Sequence, residues 1–148
     1  RISSPLTVGS LVIDLTQKAL RRRTNELAEA ASAVTDDKAR ALLLFYAAEC
    51  GLKAIWMAKN ALQKTSSSHS APSASSFVHR LDDILIQLRV PATTVATRPL
   101  VLTLQDPPGS VKVGQLNQVL RYGGTLTDQA GVMAWLESLV SYVKKELL

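Results

Sequence analysis

The sequence predicts an all-α fold, a four- to five-helix antiparallel bundle. Three observations carry that expectation: apolar residues recur at helical spacing over long stretches, capping residues precede them, and no alternating run marks a clear sheet. With 148 residues the chain suits a single helical domain, 1–148, large enough to hold a core without a metal or a disulfide.

The first helix is expected from about Val8 to Val34, with Leu11, Leu15, Ala19, Leu27 and Ala30 or Ala31 on its apolar side. Thr35 then caps a second helix whose first turn holds Asp36 and Asp37, where carboxylates complement the positive end of the helix dipole. This helix is expected to reach about Lys64. Ala39, Leu43, Tyr46, Cys50, Met57 and Ala61 lie on one side and Leu42, Phe45, Leu52 and Trp56 on another. A helix apolar on two broad faces is central, or it faces both a core and a partner subunit. Gly51 in its middle costs about 1 kcal/mol relative to Ala, the mark of a close neighbour.

Residues 65–76, "TSSSHSAPSASS", read as a flexible Ser-rich surface loop in which His69 is a solvated histidine. A short helix follows, with Leu81, Ile84, Leu85 and Leu88 as its stripe and Pro91 as its stop. Residues 92–114 form a variable connection broken at "DPPGS", in which "PLVLTL" fits either a strand or a buried helical turn. A turn or two of helix then ends at Gly123 and Gly124. Thr127 caps a last helix whose Val132, Trp135, Leu136, Leu139, Val140 and Val143 form one broad face.

Composition narrows the function classes. The charged share is 20% and the hydrophobic share 47%, and polar residues interrupt every apolar run before the roughly 18 residues a membrane span needs, so no membrane partner is expected. A single cysteine excludes an internal disulfide, and no Cys or His cluster has metal-site spacing. We expect no metal, no cofactor and a reducing, cytoplasmic location. The chain opens on Arg1 rather than Met, without the order of a secretory signal, and is expected to be trimmed or cut from a longer protein. A net charge of +5 and a pI near 9.6 favour an acidic partner such as RNA, DNA or a nucleotide. Arg21, Arg22 and Arg23 in "KALRRR" are the densest cationic run, which a solvated helix face also explains.

Three pieces then stand in order: "LLFYAAECGLKAIWMAKN" on the second helix, "HRLDDIL" at the start of the next, and "LNQVLRYGG" before the closing helix. Together, over residues 35–145, they resemble the HEPN superfamily of helical domains. The resemblance implies a four- to five-helix bundle, commonly dimeric, of the kind found in toxin–antitoxin systems, abortive infection, antiphage defence and RNA processing. Many members are metal-independent endoribonucleases that carry an Arg followed four to six residues later by a His. In such a site the Arg stabilises the charge on the phosphorane while the His moves the 2′-hydroxyl proton.

This sequence departs from that pattern, because neither His69 nor His79 has an Arg four to six residues before it. Arg40 is followed six residues later by Tyr46, a phenol with a reference pKa near 10 and so a poor base at neutral pH. We therefore expect a module that dimerises or binds a partner protein, RNA or a nucleotide without catalysis. The alternatives are an endoribonuclease with an unusual site, its candidates being His79, Arg121, Tyr46 and Arg40, and a plain interaction domain. Arg80, Arg121 and Tyr122 join the basic run as candidate nucleic-acid contacts, with Arg121 also placed to complement a helix end and His79 to pack or cap. Glu49 and Lys53 stand one turn apart in the favourable order, and with Trp56 they are read as a structural or interface seam.

Overall fold

The computed structural model of the chain describes residues 14–69, 71–96, 99, 101–106 and 108–148. They contain five α-helices: α1 (Gln17–Ala33), α2 (Asp37–Lys59), α3 (Leu81–Gln87), α4 (Leu116–Arg121) and α5 (Gln129–Glu146). The strands β1 (Val101–Asp106), β2 (Pro108–Lys112) and β3 (Thr125–Leu126) form one antiparallel sheet in the order β2–β1–β3. The protein is thus mostly helical but not all-α.

Within residues 92–114, read as a variable connection, the strand alternative for "PLVLTL" holds over Val101–Asp106. Leu102 pairs with Val111 and Leu104 with Gly109 in a hairpin, and β1 then meets Leu126 of β3. Leu102 is buried, Thr103 exposed, Leu104 half-buried and Gln105 exposed, which is the period-two alternation of a half-buried strand. "LTLQ" carries that alternation over too few residues to outweigh a helical reading.

Helix α2 is the axis of the molecule. Ala41, Leu44, Phe45, Ala47, Ala48, Leu52 and residues 54–57 are all buried, against α1, α3, α4, α5 and the 3-10 turn Ala74–Phe77. Of the residues read onto its two apolar faces, Phe45, Leu52, Trp56 and Met57 are buried by the chain's own elements, Leu42, Leu43, Tyr46 and Cys50 are half-buried, and Ala61 is exposed. By length and composition α2 could cross a bilayer, yet 67% of its most apolar window is packed inside the protein, as in a core helix. Helix α2 approaches α5 closely at Gly51, where a Cβ would stand 2.6 Å from Cγ2 of Val143. Opposite Gly51's end of the core, Trp56 meets Phe77 edge to face at 5.1 Å and donates its indole N–H to Pro72 O.

The helix boundaries differ from expectation for identifiable reasons. Leu11 lies outside the described residues, and α1 begins after Thr16, whose hydroxyl accepts from the Ala19 amide. Asp36, not Thr35, caps α2, and Asp128, not Thr127, caps α5; in both the carboxylate accepts the amide three residues on. Helix α2 stops at Lys59 instead of Lys64. Leu62 N–H bonds Met57 O while Ala61 takes a left-handed φ of 54°, a Schellman ending built without glycine. Helix α3 ends the same way at Arg89, and α4 does so at Gly123, the ending that the sequence did display. Ala39, expected on the apolar side of α2, is exposed in the first turn.

The serine-rich segment is tied at both ends. Thr65 and Leu15 exchange two bonds, and the Asp14 carboxylate accepts from the Ser66 hydroxyl, the Ser66 amide and the Thr65 hydroxyl. These bonds, led by the Ser66 hydroxyl, hold the exposed Asp14 carboxyl below its ordinary range.

Candidate functional site

Tyr46, Glu49 and Lys53 follow one another at spacings of three and four, so α2 presents them along one stripe. The turn entering α3 brings His79 against that stripe. His79 Nδ1 lies 2.7 Å from Glu49 Oε2, and Lys53 Nζ donates to the same oxygen at 3.2 Å. Glu49 is buried to 7% exposure, Lys53 is half-buried, and His79 keeps 35% of its side chain exposed. A buried carboxylate needs such donors, and here it has two.

From the other end of the stripe, Arg121 at the end of α4 donates to the Tyr46 hydroxyl at 3.3 Å. The Tyr46 ring stands edge-on to His79, centroids 6.3 Å apart. Hydrogen bonding to Tyr46, and next to Tyr122, pushes the Arg121 guanidinium above its already high pKa, so it is a permanent cation in an exposed position. The result is a continuous row: Arg121, Tyr46, His79, Glu49 and Lys53.

Backbone strain sits at the joint of this row. Val78, immediately before His79, adopts φ 53° and ψ −115°, a conformation that a β-branched residue avoids, and the residue is 52% exposed. Strain of this kind costs on the order of 1–3 kcal/mol and persists only where neighbours hold it. Here Phe77 is buried on one side and His79 is bonded to Glu49 on the other.

The chemistry available follows from the tautomer. With Nδ1–H donated to the carboxylate, Nε2 is the ring nitrogen left to accept a proton or a hydrogen bond. A fixed imidazole, a phenol and a guanidinium side by side suit a ligand with a phosphate and a hydroxyl. Among the described residues, no group of three His, Cys, Asp or Glu side chains could share a metal ion.

The other candidates are placed elsewhere. Arg40 is excluded from the row, because its guanidinium is bound to Glu137 of α5 at 2.6 Å. Arg80 is engaged locally with Asp83 at 2.7 Å and with Ser76 O. It borders a separate groove of about 350 Å³, lined also by Pro72, Phe77 and Ile86. Arg21, Arg22 and Arg23 are exposed on α1; Arg21 caps the Leu147 carbonyl and Arg23 pairs with Glu26 at 3.4 Å. His69 lies exposed in the serine-rich segment, and Trp56 is core. Glu49 and Lys53, read from the sequence as a seam, turn out to be the anchor of His79. Their shared stripe with Tyr46 was visible as spacing, but the reach of His79 was not, since it depends on the Val78 turn.

Compared with known proteins, the chain matches no protein-family model, no curated protein and no solved structure.

Proposed function

We propose that the protein is a HEPN-like helical module that binds RNA through the row Arg121, Tyr46 and His79, acting in the cytoplasm within a prokaryotic defence or toxin–antitoxin type system. The observation that carries the RNA reading is the juxtaposition of an exposed, permanently charged Arg121 with Tyr46 and His79 on an open surface. A polymer with repeated phosphates and hydroxyls fits such a surface better than a small ligand needing an enclosed cavity. The net charge of +5 supports the same partner. The setting and the fold family rest on the sequence resemblance alone.

A second reading is favoured by one specific contact. The Glu49–His79 bond orients the imidazole as a general base is oriented in acyl-transfer and hydrolytic sites, so metal-independent endoribonuclease activity is the alternative. One experiment separates the readings. Labelled single-stranded RNA is incubated with the protein in EDTA at low salt, and binding and strand scission are followed together. Binding that Arg121→Ala weakens, without scission, supports the module. Scission abolished by His79→Ala supports the enzyme. Neither binding nor scission leaves a plain helical interaction domain, and sedimentation equilibrium at micromolar concentration then tests for the homodimer.

A further inference from the structure

Tyr122 is unlike every other aromatic residue of the chain. The residue is 77% exposed, while the other six aromatic residues, two Phe, two Trp and two Tyr, are buried or half-buried. Open display of a phenol ring leaves apolar surface in water, and nothing in local geometry requires it. It follows Arg121 of the row directly in the chain.

The segment that displays Tyr122 is held firmly. Tyr122 is the C-cap of α4, followed by Gly123, whose φ of 73° turns the chain, and Gly124 N–H returns to Val119 O at 2.9 Å. Gly124 sits close to α4: an added Cβ would stand 3.1 Å from Cγ1 of Val119. From the first turn of α2, Lys38 Nζ reaches across to donate to Gly123 O at 3.0 Å and to Thr125 Oγ1 at 2.9 Å. One cation thereby bridges both sides of the turn that carries the ring. A clamped aromatic loses little freedom when a flat ligand covers it.

We infer that Tyr122 is a stacking platform for an unpaired base, which makes the site selective for single-stranded over duplex RNA, and that Lys38 is the positioning residue that holds the platform. The inference rests on the RNA-binding reading above. Arg121 takes the phosphate beside the stacked base. In a duplex the base faces are already stacked and paired, and the ring has nothing to cover.

The test is fluorescence anisotropy with a labelled oligouridylate and, separately, a labelled blunt RNA duplex at low salt. The protein binds the oligouridylate more tightly than the duplex. Tyr122→Ala weakens oligouridylate binding by about 5- to 150-fold, the range that one base stack contributes, while Tyr122→Trp retains it. Duplex binding is the same in all three. Lys38→Met lowers oligouridylate affinity by about 2- to 10-fold through the lost ordering of the turn. Thermal melts of each variant show that the fold is kept. Oligouridylate affinity unchanged in Tyr122→Ala, or equal affinity for both probes, overturns the platform while leaving RNA binding intact. Failure of the unmodified protein to bind either probe overturns the RNA-binding reading and the platform with it.

Discussion

Two polar regions of this molecule differ in a way that composition hides. The α1 face holds four cations within six residues, Lys18 to Arg23, yet its arginines are spent on a helix end and a neighbouring glutamate, or stand in solvent. The α2 stripe holds only one carboxylate and one ammonium, but three elements converge on it, and Glu49 is buried beneath His79 and Lys53. Charge density marks the first region, and organisation marks the second. Removing a desolvated carboxylate that accepts from two donors costs far more than removing a hydrated cation.

The contrast is broken most directly by Glu49→Ala. Removing the shared acceptor strands Lys53 and His79, and we expect a loss of about 3 kcal/mol in urea unfolding, at the low end for a buried pair because both partners keep some water. Arg22→Ala on the exposed α1 face is its counterpart and should change stability by less than about 0.5 kcal/mol. Equal effects would erase the distinction between the regions.

Next in size is Gly51→Ala. The new methyl meets Val143 at 2.6 Å, an overpacking cost of about 3 kcal/mol, against which alanine recovers about 1 kcal/mol of helix propensity. A net loss of about 2 kcal/mol is expected by denaturant titration. A neutral result would mean that α5 gives way freely.

Cys50 lies between the two regions, within the influence of Glu49 and Lys53 on one side and Arg23 on the other. Burial first, and Glu49 second, push its thiol up to about 11. At pH 8 the thiolate should be about 100-fold scarcer than for a thiol at the ordinary value near 9, so alkylation of the folded protein is correspondingly slow. The sign for stability follows from a raised folded-state pKa. The folded state keeps the proton longer, so this contribution is whole below pH 9 and is lost as pH rises through about 11. Rapid alkylation at pH 8 would place Cys50 on the wet side of the contrast.

The smallest effect is expected at Val78. Val78→Gly relieves the left-handed strain but frees the unfolded chain, and the two nearly cancel, leaving stability within about 1 kcal/mol. The nuclear magnetic resonance signal of the His79 ring then reports whether the strain serves position: loss of its Nδ1–H resonance is the expected outcome, and an unchanged resonance sinks that role.

Much of this was legible in the sequence where period and chemistry agree. The α2 core, the α5 face and the Gly123 ending each carry several consistent signals. Elements built against type were not legible. Ala61 and Arg89 end helices where glycine is expected, and "LTLQ" is too short for its alternation to be decisive. The site divides the same way. Tyr46, Glu49 and Lys53 could be placed on one stripe by counting, whereas His79 arrives through a backbone conformation that no residue type announces, and Arg40 is taken up by Glu137 of α5.

Gly51 has a reach beyond its own contact. A helix turns about 100° per residue, so Glu49, two positions earlier, points about 200° away from the side that touches α5. The glycine therefore sets the azimuth of the acid: with α2 pressed against Val143, the carboxylate can face only the far side, where His79 waits. A bulkier residue that rolled α2 by a few tens of degrees would mis-aim the row without touching any member of it. In such a variant the row would fail to assemble by orientation, with each of its side chains still present.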